Sequence, residues 1–166
     1  MKISIITITY NSAKTLPRAL ESVRSQTYGD IEHIIVDGAS TDGTVEIIKN
    51  YSKGPSDKVP STKEVRWVSE PDGGIYDALN KGIRMATGDV IGFLHSDDVL
   101  YSPDSIGQIA AAFESTKADV VYGDLQYCNG DKVTRRWRSN AFKPSSLKFG
   151  WMPPHPTLYV RREVYE

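Results

Sequence analysis

The chain opens on an apolar, β-branched run, Ile3–Thr9, which reads as a buried strand and stops at the polar stretch TYNS. Leu16, Ala19, Leu20 and Val23 then recur at helical spacing behind Ser12, a candidate cap, with Pro17 tolerated in the first turn. HIIVD (His33–Asp37) predicts a second strand, and Thr44–Tyr51 a second helix carrying Val45, Ile47 and Ile48, with Asp42 as its N-cap. The polar stretch Ser52–Glu64 predicts a loop. Val65–Ser69 and Val90–Leu94 read as two more strands flanking a helix over Ile75–Thr87, whose Ala78, Leu79, Ile83 and Ala86 share one side. Ser105–Ser115 predicts a further helix and Ala118–Asp124 a fifth strand. The alternation over Leu125–Trp137 predicts a β-hairpin turning at Asn129–Gly130. A Pro-rich WMPPHP leads to a short strand, Thr157–Val160, and the beginning of a helix.

Strand and helix alternate four times, the signature of an α/β fold: an open, mostly parallel, Rossmann-like sheet with helices on both faces, here with a hairpin addition. In such sheets ligands bind outside the carboxyl ends of the strands. A polar cluster follows each of the first four strands: TYN, DGASTDG, EPDGG and HSDD. They are expected to meet on one rim of a single domain spanning residues 1–166.

Composition narrows the partners. With 20 basic and 21 acidic residues and a formal net charge of −1, no global field favours nucleic acid or an anionic membrane, and partners must be argued locally. The basic run Lys132–Arg138, KVTRRWR, is the local exception, read first as a solvated hairpin face and second as a phosphate or acceptor contact. A single cysteine, Cys128, excludes an internal disulfide and fits a reducing compartment, so a cytoplasmic location is expected. No signal-like or membrane-spanning apolar stretch is present.

The clusters suggest their chemistry. Two adjacent carboxylates at a strand end, Asp97 and Asp98, repel each other unless something positive joins them; Mg²⁺ and Mn²⁺ favour carboxylate oxygen completed by substrate phosphates. Asp37 can accept from a base N–H or a ribose hydroxyl, serve as a phosphoacceptor, or cap its own turn. Tyr10 offers a ring for stacking, beside Thr9 and Asn11. Gly73 and Gly74 permit a turn or close approach to a ligand, Glu70 and Asp72 add polar contacts, and Asn80 can face the rim from the next helix. His33, His95 and His155 are scattered, and each also reads as a packing or surface residue. The first turn carries neither G-x-G-x-x-G nor a P-loop, which removes the dinucleotide and P-loop fingerprints.

The segments SIITITYNSAKTLPRALESVRSQTYGDIEHIIVDGASTDGT, SEPDGGIYDALNKGIRMATGDVIGFLHSDDVL and ADVVYGD together resemble the donor-binding half of a family 2 glycosyltransferase with the GT-A fold. The resemblance implies an inverting enzyme that moves a sugar from a nucleoside diphosphate donor, most often uridine-based, to an acceptor hydroxyl with Mn²⁺ or Mg²⁺. It places Thr9, Tyr10 and Asn11 at the base pocket, and Asp37 at the base or ribose. Glu70, Asp72, Gly73, Gly74 and Asn80 fall at the ribose and donor-sugar wall, Asp97 faces the ribose, and Asp98 ligates the metal. Two departures stand out: Gly38 and His95 occupy positions where many relatives carry acidic residues. The catalytic base is expected beyond Glu166, with Asp124 and His155 as weaker stand-ins. The acceptor is expected to be a glycan or lipid-linked, in surface polysaccharide or glycan synthesis, with peripheral membrane association. A catalytically inactive nucleotide-sugar-binding fragment and a nucleotidyltransferase are the alternatives.

Overall fold

The computed structural model describes residues 1–54, 64–130 and 132–165. Four strands, β1 (Ile3–Thr9), β2 (Ile31–Asp37), β3 (Glu64–Ser69) and β4 (Val90–Phe93), pair in parallel in the order β3-β2-β1-β4. Helices α1 (Leu16–Arg24), α2 (Thr44–Ser52), α3 (Ile75–Met85) and α4 (Ser105–Thr116) cover this sheet. The expected mixed α/β fold is therefore present; most of the loop expected over Ser52–Glu64 lies outside the described residues.

Successive side chains on a strand point to opposite faces, and both faces of β1 and β2 are apolar. Ile3 and Ile5 pack with Val23 of α1 and with Ile106, Ala110 and Phe113 of α4. Ile35 meets Leu16 and Leu20 of α1 and Ile48 and Tyr51 of α2. Ile6, Ile8, Ile34 and Val36 turn the other way, onto Ala78 of α3. Three helices thus cover one face and α3 the other, which is why these strands read as nearly unbroken apolar runs. Each fully buried isoleucine contributes roughly 1.5–3 kcal/mol.

Several boundaries differ from the sequence expectation. β2 starts at Ile31 rather than His33, because Ile31 is buried opposite Ile3 and Glu32 finds partners inside. Ser12 does not cap α1 with its side chain; its carbonyl accepts from Thr15 N and Leu16 N, and Thr15 is the N-cap. Gly43 is the N-cap of α2, while Asp42 Oδ1, one residue earlier, accepts from Thr44 N at 3.1 Å. The fifth strand contracts to β5 (Val120–Val121). The hairpin forms its own sheet from β6 (Leu125–Asn129) and β7 (Lys132–Trp137). β8 (Tyr159–Arg161) inserts antiparallel between β4 and β5, and Arg162–Val164 forms only a 3-10 turn. Among the described residues no helix is long and apolar enough to cross a membrane.

At the amino edge of the sheet, buried Glu32 accepts from Ser4 Oγ at 2.6 Å, Thr87 N at 2.8 Å and Arg66 Nη1 at 3.2 Å. Burial pushes its carboxyl up, but these hydrogen bonds outweigh that and leave it below the usual glutamate range. The stability this adds is fully present above the ordinary glutamate pKa and is lost as pH falls through the lowered folded value. Glu32→Gln is expected to cost about 2–3 kcal/mol at neutral pH. In urea melts the variant and parent should converge as the buffer turns acid; a constant gap would contradict this account.

Candidate functional site

All four polar clusters emerge at the carboxyl edge, around a cleft of about 770 Å³. Thr9, Tyr10 and Ser12 line it from the end of β1, and Gly38 from the end of β2. Asp72, Gly74 and Ile75 line it from the turn into α3, and His95, Ser96 and Asp97 from the end of β4. His155, late in the chain, closes the wall beside His95.

The rim loops are tied to one another. Asp37 is fully buried beneath the cleft, where its carboxylate accepts from Ser40 N at 2.9 Å, from Ser40 Oγ, and from Ser69 Oγ at 2.6 Å. Asn11, at φ 48°, receives the Thr41 N–H on its Oδ1 at 2.9 Å and donates its own N–H to Ser40 Oγ at 2.7 Å. Asp42 Oδ2 accepts from Ala13 N at 3.0 Å, and Ser96 Oγ donates to Ser12 Oγ at 3.0 Å. The backbone around the cleft is thereby held in place by the protein's own side chains. Because Asp37 joins the ends of β2 and β3, Asp37→Ala is expected to lower ligand-free stability by about 2–4 kcal/mol, read as a shift in the urea midpoint. An unchanged midpoint would leave it without this positioning role.

Tyr10 stands 65% exposed, its ring free to meet a planar ligand. Beside it the missing side chain of Gly38 matters: a Cβ there would lie 2.8 Å from Asp72 Oδ2 and 3.3 Å from Tyr10 Cδ2. Asp72 and Tyr10 therefore close over the glycine. Thr9 Oγ1 is buried without a hydrogen-bond partner among the described residues.

Asp98 is half-buried, and among the described residues no lysine or arginine pairs with it or with Asp97. Burial, then the neighbouring Asp97 charge, push its carboxyl above the usual aspartate range. Burial holds the His95 ring below the ordinary histidine value. His95 Nε2 lies 3.2 Å from His155 Nε2, so one ring donates and the other accepts. Among the described residues no three His, Cys, Asp or Glu side chains form a metal cage. What is present fits a divalent ion carried by one or two carboxylates, with its remaining ligands from substrate phosphate and water.

The other expected residues stand back from the cleft walls. Glu70 is paired with Lys81 at 2.8 Å. Gly73 N donates to Asp77 Oδ2 at 3.0 Å, and Gly74 N to Asp72 Oδ1 at 2.9 Å, shaping the turn into α3. Asn80 is exposed on α3, and Asp124 accepts from Ser139 N at 2.8 Å. Ser12 and Ser96 also line the cleft, and their only sequence signal is membership of the TYNS and HSDD stretches.

The family model described as "Glycosyl transferase family 2" matches residues 4–163. The chain belongs to that family. A "PGL/p-HBAD biosynthesis glycosyltransferase" of Mycobacterium bovis is 35% identical over 163 residues, 98% of this chain and 60% of the relative. An uncharacterized glycosyltransferase of Nostoc sp. is 36% identical over 176 aligned positions, 100% of this chain and 52% of the relative. The family 2 chain described here thus spans between half and two thirds of these relatives' length. Among solved structures, S. aureus TarS 1-349 in complex with UDP-GlcNAc superposes with a TM-score of 0.75 at 25% identity, covering 99% of this chain and 46% of that 1-349 chain. The mannosyltransferase PcManGT from Pyrobaculum calidifontis, in complex with GDP-Man and Mn²⁺, gives 0.65 at 24% identity, over 74% of this chain and 35% of its own, and supports the fold.

Proposed function

We propose that this chain binds a nucleoside diphosphate sugar at the carboxyl-edge cleft and supplies the donor side of an inverting sugar transfer, with a uridine nucleotide and Mn²⁺ or Mg²⁺. The observation that carries this is a cleft, in a family 2 chain, where exposed Tyr10 meets Asp72 and Asp97 beside the half-buried Asp98 carboxylate, which has no basic partner among the described residues. The UDP-GlcNAc bound by TarS supports the choice of uridine.

In this reading Tyr10 stacks on the base, with Thr9, Asn11 and Asp37 shaping its pocket. Glu70, Asp72, Gly73, Gly74 and Asn80 form the ribose and sugar side, and Asp97 accepts from a ribose hydroxyl. Asp98, with Asp97 nearby, would hold the cation. When bound, the cation supplies Lewis-acid neutralisation of the diphosphate leaving group. The acceptor hydroxyl, on a glycan or lipid-linked sugar, forms the new bond to the anomeric carbon as the carbon–oxygen bond to diphosphate breaks. Its proton passes to a general base. Neither His155 nor Asp124 is assigned that role: His155 faces its ring partner His95, and Asp124 stands outside the cleft walls.

The test is thermal melting with uridine and guanosine diphosphates, each with Mn²⁺ or with chelator. At ligand near a hundred times Kd, a gain of about 2.7 kcal/mol is expected for the uridine nucleotide with Mn²⁺. No shift with any nucleoside diphosphate would sink the reading. Donor hydrolysis measured on the same samples separates turnover from binding alone.

A further inference from the structure

Although the formal net charge of the chain is −1, residues 125–152 carry six basic residues, Lys132, Arg135, Arg136, Arg138, Lys143 and Lys148, against one acidic residue, Asp131. All six basic side chains are exposed, and among the described residues none forms an ion pair. The same stretch exposes large apolar groups: Phe149 is 90% exposed, Met152 67%, Phe142 49% and Tyr127 42%. Bare aromatic and basic groups gathered on one short segment match the composition of an interfacial element.

Geometry adds a second argument. β6 and β7 belong to no larger sheet, and β7 is exposed from Lys132 through Arg136. An isolated two-stranded hairpin is marginal in water and gains by lying on another surface. The Arg135 guanidinium sits 5.5 Å from the Tyr127 ring centre and 5.8 Å from that of Trp137, so charge and aromatic surface are presented together. The base of the hairpin is anchored: Ser139 N donates to Asp124 Oδ1 at 2.8 Å and Ser139 Oγ to Gly123 O at 2.6 Å. The following loop is anchored by Trp151, edge-on to Tyr122 at 5.6 Å and tilted against Phe142 at 5.3 Å. Thr157 Oγ1 also donates to Gly123 O at 2.9 Å, just past the cleft residue His155. The base of the unit is therefore tied to Gly123, just after β5, and through it to Thr157, two residues past His155.

We propose that the β6–β7 hairpin and the loop after it dock onto a bilayer carrying anionic lipid. Lysine and arginine meet the lipid phosphates, while Phe149, Met152 and Phe142 enter the boundary between headgroups and acyl chains. A soluble polyanion would satisfy the charges and leave those apolar groups in water, which is why the bilayer is favoured.

The test is co-sedimentation of this chain, without nucleotide, with vesicles of phosphatidylcholine alone or with about 30 mol% phosphatidylglycerol, at about 0.1 and 0.5 M salt. It is read independently of donor binding. Expected are at least about tenfold tighter binding to the anionic vesicles and weakening at the higher salt. The triple variant Arg135→Glu, Arg136→Glu, Arg138→Glu should lose about tenfold or more, and Phe149→Ser several-fold. Both should keep the parent melting midpoint, since the altered side chains are exposed. Equal binding to neutral and anionic vesicles overturns the proposal. So does Phe149→Ser binding like the parent, the behaviour of a plain polyanion patch. Light scattering that shows a dimer abolished by Phe149→Ser overturns it in favour of a second copy of the chain.

Discussion

Asp98→Asn is expected to erase the Mn²⁺-dependent stabilisation by uridine diphosphate while raising the melting midpoint of the ligand-free chain at neutral pH. The two effects have one cause. Burial and the Asp97 charge hold the Asp98 carboxyl above its ordinary pKa. A raised carboxyl adds stability fully below its unfolded value, and that contribution is lost as pH rises through the folded value. At neutral pH the ionised group is therefore a liability, which the proposed cation would relieve. An amide removes the liability together with the ligand. The gain from the substitution should shrink toward acid, where the parent carboxyl is already protonated. The lost ligand shift should be large: about 2.7 kcal/mol at saturating nucleotide, or several degrees in a domain of this size. If the asparagine variant keeps the metal-dependent shift, Asp98 is not the ligand. If the ligand-free midpoint falls at neutral pH, the electrostatic account fails separately.

Gly92→Ala should be among the most destabilising single-methyl additions the sheet can receive. Gly92 of β4 pairs with Tyr159 of β8, and a Cβ there would stand 2.1 Å from Tyr159 Cε1, 2.4 Å from Cδ1 and 2.7 Å from Cζ. The ring has nowhere to go: Tyr159 is 2% exposed and packed in the cluster with Ile3, Ile5 and Phe113. Overpacking a core group costs about 1–3 kcal/mol and occasionally more, and a clash this short with a fixed ring belongs at the upper end. The urea midpoint should fall accordingly, and adding Tyr159→Leu should restore part of the loss, since the pair is in contact and its effects cannot add. An alanine variant within about 0.5 kcal/mol of the parent would show that the ring can move aside. Tyr159→Phe is a useful control: the hydroxyl is buried with no partner among the described residues, so its removal should be neutral or slightly stabilising.

Local pattern carried much of the fold. Ile3–Thr9 is a strand in both the sequence reading and the structure, because a run apolar on both faces suits only a sheet covered on both sides. The polar clusters after β1 to β4 were placed on one rim by the same logic, and Tyr10, Asp72 and Asp97 do meet in one cleft. What the pattern missed depends on partners far along the chain. A glutamate at the start of β2 argues against a strand until Ser4, Arg66 and Thr87 are brought to it. The carboxylate of Asp37 is occupied partly by Ser69 from the adjacent strand, and His95 meets a histidine 60 positions later. Ser12 has the right residue type for a cap, yet its hydroxyl is engaged with Tyr10 O and Ser96 while its carbonyl starts the turn. The antiparallel insertion of β8 left no local mark: a short apolar run has the same pattern in either direction.

The position of β8 has a consequence for biosynthesis. Among the described residues, Val120–Val121 pairs with the sheet through β8 alone, whose residues 159–161 also close the free edge of β4. A nascent chain can therefore assemble β1 to β4 with their helices well before that edge is sealed, and in the interval the backbone of β4 is open to strand exchange with another molecule. Ribosomal stalling or proteolytic nicking ahead of Tyr159 should accordingly yield aggregates rather than a smaller soluble domain.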